Sequence, residues 1–315
     1  KYFYKYSLIL LKIFFFIYYH IKYFYFNIIN QHLDLKMKNI YTSKKISSCI
    51  VLNVFLLVFI ISAKNPIHTD LFIPPNQTII ADNIDALVLK GIKHIHDHGE
   101  TFSARAGSGQ QAYSVNYILT NPRNRVHNIR RKAALKYFSR ELLAYFEGSL
   151  HVEDGLAQAA PMWRSLADKD GCIESNYGYY VFHQRLPENK TKTQYDWVID
   201  NLVQNLDSRK AFININQIQH KKKDSKDFPC TLGMQFYVKN NHLCCTVASR
   251  STDIYTGLPY DMGFFSFVTE LVYQDLKEKL PTDQAEKLKL GYVEMKTNFT
   301  QIYDKTRSSA LNLLT

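Results

Sequence analysis

The chain has 315 residues, of which 46% are hydrophobic and 21% are charged, an ordinary globular composition with room for one large core. The formal net charge is +11, but residues 1–63 hold eight lysines and one aspartate. Removing these from the totals of 39 basic and 28 acidic residues leaves a balance of +4 for the rest of the chain. Net charge therefore gives little support for a nucleic-acid-binding protein, and no Cys/His spacing indicates a metal site.

The first stretch, residues 1–36, is almost entirely Lys, Tyr, Phe, Ile, Asn and Leu. AT-rich DNA encodes these residue types, and the chain does not begin with Met. We interpret residues 1–36 as translation upstream of a true start at Met37.

Residues 37–63 have the layout of a secretory signal peptide. Three lysines up to Lys45 form a basic region, Cys49 to Ile61 is apolar, and Ser62-Ala63 offers small residues for cleavage. A signal anchor is the alternative, but the apolar run is short for a membrane span of ~20 residues. We expect residues 64–315 to form one secreted domain with no stable membrane association, or a cytoplasmic one if the leader is not native.

Hydrophobic periodicity predicts a series of helices and strands in the remaining chain. The helices are predicted at residues 82–98, 128–146, 195–205 and 261–279, and the strands at residues 112–119, 211–216, 232–239 and 242–249. Asn240-Asn241 predicts a hairpin turn. In the second helix, Leu135, Leu143 and Phe146 are expected on the buried side.

Two segments carry the strongest chemical signal. They are Phe228-Pro-Cys-Thr-Leu-Gly-Met-Gln-Phe-Tyr237 and Arg250-Ser-Thr-Asp-Ile-Tyr-Thr-Gly-Leu-Pro-Tyr-Asp261. Here the chain resembles the thymidylate synthase/deoxycytidylate hydroxymethylase family, in which a Pro-Cys dipeptide, a Gln-Phe strand, an Arg-Ser-x-Asp segment and a Gly-Leu-Pro turn follow in this order. Further similar segments are Arg140–Gly148, Met162–Gly178, Asp207–Lys210 and Gly291–Tyr303, so the resemblance covers about residues 85–303.

The resemblance implies an α+β fold, with a large, mostly antiparallel twisted sheet and helices packed on one face. It also implies a homodimer in which two such sheets pack back to back. The implied substrate is a pyrimidine nucleoside monophosphate, and no nucleic acid is expected as a partner.

The resemblance implies that Cys230 is the nucleophile and Glu141 the general acid/base. C5 of a pyrimidine becomes nucleophilic only after a group adds at C6, and a thiolate suits that step because it adds and leaves again. Arg250 is the cation expected to favour this thiolate.

Asp261 stands where thymidylate synthases generally have Asn. A carboxylate accepts hydrogen bonds only, which matches the N4 amino group and the protonated N3 of cytosine. The residue therefore resembles that of the deoxycytidylate hydroxymethylases. Its other possible role is to cap the helix that follows.

The remaining predicted site residues are also implied by the resemblance. Arg105, Arg250 and Ser251 would bind phosphate; Arg209 and Lys210 would reach the partner's phosphate site; Gln235, Tyr177, Gln301 and Tyr303 would contact the nucleotide; and Trp163, Asp253 and Gly257 would contact 5,10-methylenetetrahydrofolate.

Several positions depart from the family pattern. Gln301 replaces a His, Lys210 replaces an Arg, and Thr231 follows the nucleophile where synthases commonly have His. The chain also ends shortly after Tyr303, without the segment that closes over folate in synthases. Hydroxymethylation of dCMP or CMP is therefore the leading hypothesis. Thymidylate synthesis from dUMP and a secreted, inactive binding protein are the alternatives.

Overall fold

The computed structural model describes residues 77–129, 132–222 and 225–315. The interpreted upstream stretch (1–36) and the predicted signal peptide (37–63) lie outside these residues. The described residues, from Gln77 to Thr315, belong to one compact unit. No helix within the described ranges has both the length and the apolar character needed to cross a bilayer.

A mixed, mostly antiparallel sheet of seven strands dominates the described residues. The strands are β1 (Gln77–Ala81), β2 (Glu100–Ala104), β3 (Gly107–Leu119), β4 (Phe212–Asn214), β5 (Thr231–Lys239), β6 (His242–Asp253) and β7 (Lys289–Tyr303). Their order is β1-β3-β7-β6-β5-β4, and β2 pairs with β3. The β1/β3 and β6/β7 pairs are parallel, and the others are antiparallel. The predicted α+β fold class is confirmed.

Six α-helices connect or flank these strands in the described residues. They are α1 (Ile84–His98), α2 (Lys132–Glu147), α3 (Gln194–Gln204), α4 (Leu258–Lys279), α5 (Thr282–Lys287) and α6 (Asp304–Leu311). Asn83 caps α1 by accepting a hydrogen bond from the Ala86 amide, and Thr193 caps α3 in a capping box with Asp196. The Gly-Leu-Pro turn begins α4, where Pro259 lies at one of the first two positions.

The inner face of the sheet carries the core. Tyr117, Val247 and Met295 on β3, β6 and β7 are fully buried, and α1 and α4 pack over these strands. The close approach of α1 to the sheet requires a glycine in this helix, because a Cβ on Gly91 would collide with Tyr117 and Ile254. Alternation along each strand thus puts the helices on one face, as predicted.

The opposite face of the sheet, here called the outer face, is polar and aromatic at its centre. The Tyr237 hydroxyl lies 2.9 Å from that of Tyr292 and 3.3 Å from that of Thr246. Thr246 in turn donates a hydrogen bond of 3.2 Å to Glu294. These side chains are partly exposed in the single chain, so this face is available for contact with another surface.

The buried side of α2 differs from the sequence prediction. Phe138 is buried, whereas Leu135, Leu143 and Phe146 are 47%, 65% and 40% exposed. The prediction placed apolar residues from too large a part of the helix circumference on the buried side. The side that turns inward carries Glu141 among apolar neighbours, so an ionisable residue occupies a position that hydrophobic periodicity gives to an apolar one.

Candidate active site

Cys230 lies immediately before β5 and is partly exposed. The Cys230 carbonyl oxygen accepts hydrogen bonds from the Arg250 amide (2.9 Å) and the Ser249 hydroxyl (3.1 Å) on β6. Its sulfur accepts a hydrogen bond of 3.6 Å from the Ser251 hydroxyl. The β5/β6 pairing therefore fixes the thiol next to Arg250 and Ser251.

The Arg250 guanidinium wraps the segment that precedes the thiol. It donates to the carbonyl oxygens of Phe228 (2.6 Å) and Pro229 (3.2 Å) and to Ser251 Oγ (3.2 Å). It also lies 5.2 Å from the centre of the Phe228 ring. Burial raises the pKa of Cys230, and the positive charge of Arg250 opposes that rise.

Arg105 reaches the same segment from the other side. It lies in the turn between β2 and β3, and its guanidinium donates to the carbonyl oxygens of Ser225 (3.4 Å) and Lys226. The neighbouring Gly107 lies against the Tyr303 ring. The β2–β3 turn thus brings a second guanidinium towards the cysteine segment and the end of β7.

Glu141 is buried on the inner side of α2, with 4% exposure. Its Oε1 accepts a hydrogen bond of 2.5 Å from the Tyr137 hydroxyl. Burial raises the pKa of Glu141 to about 8, the negative charge of Asp261 adds to the rise, and the Tyr137 hydrogen bond opposes it. A carboxyl group with such a pKa can both accept and donate a proton near neutral pH.

Asp261 lies in the first turn of α4, where its amide donates to the Gly257 carbonyl oxygen (3.0 Å). Burial raises the pKa of Asp261 to about 7, and the nearby Thr252 hydroxyl opposes the rise. The charge of Asp261 also raises the pKa values of Cys230 and Tyr177. Asp261 therefore interacts electrostatically with both the thiol and Glu141, and the region around these three groups is called the pocket below.

Tyr177 closes the side of the pocket next to α2. Its ring stacks on Tyr145 with 5.8 Å between centroids, and its hydroxyl lies near Thr231 and Cys230. Burial raises its pKa far above the ordinary range. Gly178 permits this approach, because any Cβ there would collide with the backbone of Tyr145.

The ends of β6 and β7 bring Asp253, Gly257, Gln301 and Tyr303 together. Asp253 pairs with Gln301 in the sheet, and Asp253 Oδ1 accepts hydrogen bonds of 2.8 Å from the amides of Tyr255 and Thr256. Burial raises the pKa of Asp253. Burial also raises the pKa of Tyr303, and the charges of Asp253, Cys230 and Arg250 all act on its hydroxyl. This corner therefore adjoins the thiol.

Several buried polar atoms around this pocket lack a protein hydrogen bond of ordinary geometry. Within the described residues they include Trp163 Nε1, Thr231 Oγ1, Thr252 Oγ1 and Gln301 Oε1. Native proteins satisfy most such atoms with protein groups or water. Each of the four lies beside a polar side chain of the site: Trp163 beside Tyr137, Thr231 beside Tyr177, Thr252 beside Asp261 and Gln301 beside Tyr303.

Comparison with known families agrees with this arrangement. The model of the family described as "Thymidylate synthase" matches residues 88–304, which is more than half of the chain and includes every residue of the pocket described above. The chain belongs to the thymidylate synthase family.

One similar curated protein is the "Deoxycytidylate 5-hydroxymethyltransferase" of Enterobacteria phage T6. It is 29% identical over 153 residues, which are 47% of this chain and 60% of the phage protein. The chain thus spans about 60% of the length of this phage relative.

Three predicted residues do not join the pocket within one chain. Gln235 lies roughly 16 Å along β5 from Cys230, and its amide donates to the carbonyl oxygen of Ala211 (2.9 Å). Arg209 and Gln235 line a cavity of about 390 Å³ at the outer face.

The backbone of Lys210 lies against α3, since its carbonyl oxygen accepts a hydrogen bond from the Trp197 indole (2.8 Å). For Gln235 the side chain lies at the outer face, so within one subunit it does not reach Cys230, and its contact with a nucleotide stays a prediction.

Sequence reasoning missed Tyr137, Tyr145 and Thr252 as members of the site. Tyr137 had a usable signal, since residues four apart share one side of a helix and Glu141 was already a candidate. Thr252 and Tyr145 carried no such signal, because packing between separate elements brings them to Asp261 and Tyr177.

Proposed function

We propose that this protein transfers a one-carbon unit from 5,10-methylenetetrahydrofolate to C5 of a cytosine nucleotide and forms the 5-hydroxymethyl product. The observation that carries the proposal is the Asp261 carboxyl group close enough to both Cys230 and Glu141 to interact with each electrostatically. Similarity to the phage deoxycytidylate hydroxymethyltransferase supports the same base. The substrate would be dCMP or CMP.

The phosphate would bind at the guanidinium groups of Arg105 and Arg250 and at the Ser251 hydroxyl. Guanidinium groups suit a phosphate dianion because they donate two parallel hydrogen bonds. Arg250 donates here to the carbonyl oxygens of the two residues before Cys230, and Arg105 donates to those of Ser225 and Lys226 earlier in the same segment. A bound phosphate would therefore lie within reach of the thiol segment, and the sugar would extend towards Tyr303 and Gln301.

Cys230 would add to C6 of the base as the thiolate. Its raised pKa keeps most of the thiol protonated at neutral pH in the free protein, and Arg250 opposes this effect. Addition places electrons at C5, so the C5 hydrogen can be exchanged for a carbon substituent. The thiolate then leaves, and the aromatic base is restored.

Asp261 and Glu141 would divide recognition and proton transfer. An ionised Asp261 accepts hydrogen bonds from the N4 amino group and from protonated N3 of cytosine. Glu141, with its pKa of about 8, would move protons to and from the base and activate the water that becomes the hydroxyl group. The net change replaces C5–H with C5–CH₂OH and consumes one water, so no reductant is needed.

The residues near the pocket fit a folate. Trp163 offers a flat ring whose buried N–H lies beside the Tyr137 hydroxyl, and Asp253 offers a carboxylate that is fixed through Oδ1 by two backbone amides. A pterin is flat and carries N–H donors that a carboxylate can accept. When bound, methylenetetrahydrofolate supplies a carbon at the oxidation level of formaldehyde.

The decisive experiment measures tritium release from C5-labelled dCMP, CMP and dUMP with methylenetetrahydrofolate, together with product mass. We expect release and a hydroxymethyl product from a cytosine nucleotide. Cys230→Ser should lower the rate by ~10⁴-fold or more, whereas the exposed Cys172 can be replaced by Ser without loss. Methyl transfer to dUMP would identify a thymidylate synthase instead. Nucleotide binding without release would identify an inactive binding protein.

We also infer that residues 37–63 direct the protein into the secretory pathway. The basic, apolar and small-residue regions of that segment support this localisation. N-terminal sequencing of the native protein tests it: a mature terminus near Lys64 is expected, and a terminus at Met37 on cytosolic protein would contradict it.

A further inference from the structure

Tyr137 and Glu141 form a short contact on the inner side of α2. The Tyr137 hydroxyl donates a hydrogen bond of 2.5 Å to Glu141 Oε1, and the two residues lie one helical turn apart. Hydrogen bonds of this length to a carboxylate are among the strong ones in proteins. Tyr137 precedes the Arg140–Gly148 segment that carries the family resemblance.

The surroundings of Tyr137 fix its hydroxyl in place. Its ring packs edge-on against Tyr260, with 4.6 Å between centroids and 65° between planes. The Trp163 indole lies beside its hydroxyl. Tyr260 directly precedes Asp261 on α4, so the Tyr137 ring joins the helix that carries Glu141 to the helix that carries the base-recognising carboxylate.

We propose that Tyr137 is a positioning residue for Glu141, holding Oε1 so that Oε2 is the oxygen that exchanges a proton with the bound pyrimidine or with water. This inference rests on the proposed function, in which Glu141 moves protons. Within the described residues, the bond to Tyr137 is the hydrogen bond that the Glu141 side chain makes. This contact therefore determines which of the two carboxyl oxygens faces Tyr137.

The groups around Glu141 determine how much the Tyr137 hydrogen bond affects the pKa of Glu141. Tyr145 on the same helix and Tyr260 and Asp261 on α4 are the titratable neighbours. In the described part of the chain, no cation contributes to the pKa of Glu141. Burial and Asp261 favour the protonated form, and Tyr137 favours the ionised form. Loss of the hydroxyl should therefore raise the pKa of Glu141 above its value of about 8.

The test compares Tyr137→Phe with Tyr195→Phe in the full chain. Both substitutions remove a hydroxyl that donates to a carboxylate, because Tyr195 donates to Asp275 at 3.1 Å. Asp275 lies 14 residues beyond Asp261 on α4, or roughly 21 Å along the axis. We expect Tyr137→Phe to lower kcat about tenfold, to change the nucleotide KM little, and to move the limb of the pH–rate profile that Glu141 governs to higher pH. Tyr195→Phe should leave all three unchanged.

A second measurement separates this inference from the proposed function. The titration of Glu141 is followed by carboxyl ¹³C NMR in protein labelled at glutamate, and Glu141→Gln identifies its signal. An upward move of that titration in Tyr137→Phe supports the positioning contact even if the wild type turns over no pyrimidine nucleotide. The same titration in wild type and Tyr137→Phe overturns the inference, as does a tenfold loss of kcat in both Phe variants.

Discussion

Glu141 on α2 and Asp261 on α4 interact electrostatically across the pocket, and the negative charge of Asp261 raises the pKa of Glu141. Burial raises the pKa values of both carboxyl groups into the neutral range, so the two groups titrate as a coupled pair. At an intermediate pH the pair therefore holds one proton between its two carboxyl groups. One carboxyl group can then accept from the base while the other donates a proton.

The substitution Asp261→Asn separates base recognition from this coupling. An amide can donate to O4 of uracil, so we expect the ratio of kcat/KM for dUMP to that for dCMP to rise at least about tenfold. Loss of the negative charge should also lower the pKa of Glu141, since Asp261 raises it in the wild type. Glu278→Gln, an exposed change on the same helix, is the control.

The measurements for Asp261→Asn are the two specificity constants and the pH–rate profile. An unchanged base preference in a folded variant would refute the role of Asp261 in recognition. If the limb of the pH–rate profile that Glu141 governs does not move, the electrostatic interaction between the two carboxyl groups would instead be contradicted.

Arg250 governs the reactivity of the Cys230 thiol. Its charge lowers the thiol pKa, so Arg250→Ala should raise that pKa and reduce the thiolate fraction at about pH 8. We expect alkylation of Cys230 by iodoacetamide to slow by about tenfold, and the difference from wild type to shrink as the pH rises above both pKa values. Peptide mass spectrometry gives the rate for each cysteine.

Cys172 provides an internal control for the same alkylation samples. It is exposed, and its pKa responds to burial and to nearby acidic residues rather than to Arg250. Its alkylation rate should be equal in wild type and Arg250→Ala. Equal rates for Cys230 in the two proteins would show that Arg250 does not control the thiolate.

The sequence predicted much of the sheet because strand alternation and turn chemistry are local. Asn240 and Asn241 both adopt positive φ (50° and 60°) in the turn between β5 and β6, as their sequence indicated. The strands β1 and β2 went unpredicted, since β1 is short and pairs with a distant strand. Strand β7 was noticed only as a motif, although it pairs with both β3 and β6.

The motifs predicted which residues meet at the pocket but not how they are supported. Cys230, Arg250 and Ser251 lie together because a two-strand pairing fixes them. The Tyr137 hydroxyl, the Thr252 hydroxyl and the Tyr145–Tyr177 stack depend on packing among α2, α4 and the loop before Tyr177. The Thr252 and Tyr145–Tyr177 contacts join separate elements, so periodicity carries no information about them. Tyr137 and Glu141 are the exception, because they lie four residues apart on one side of α2.

A pair of leucine substitutions tests the corrected orientation of α2. Leu143 is 65% exposed, whereas Leu87 on α1 is fully buried. We expect Leu143→Ala to change the free energy of unfolding by less than about 0.5 kcal/mol, and Leu87→Ala to reduce it by about 2–5 kcal/mol. Urea denaturation measures both. A large loss for Leu143→Ala would indicate that its side chain is covered in solution.

The outer face and the position of Arg209 lead to a prediction about assembly. Arg209 adjoins a cavity on that face, outside the pocket of its own chain. We propose a homodimer in which the outer faces meet and Arg209 and Lys210 complete the phosphate site of the partner. Cys230→Ser and Arg209→Ala are then each expected to be inactive alone.

Mixing the two inactive proteins under subunit exchange distinguishes this arrangement from an independent monomer. In a mixed dimer, the chain that retains Cys230 receives Arg209 from its partner, so one of the two sites is intact. Random exchange of equal amounts makes about half of the dimers mixed. Since one of the two sites in each mixed dimer is intact, up to about one quarter of the wild-type rate should return. In the control mixture, Lys239→Ala, an exposed change at the far end of β5, replaces Arg209→Ala. This variant keeps both Cys230 and Arg209, so the control mixture should show only the activity of the sites that contain its Cys230. Failure of the Cys230→Ser and Arg209→Ala mixture to gain activity, with exchange demonstrated by mass spectrometry, would exclude a shared site.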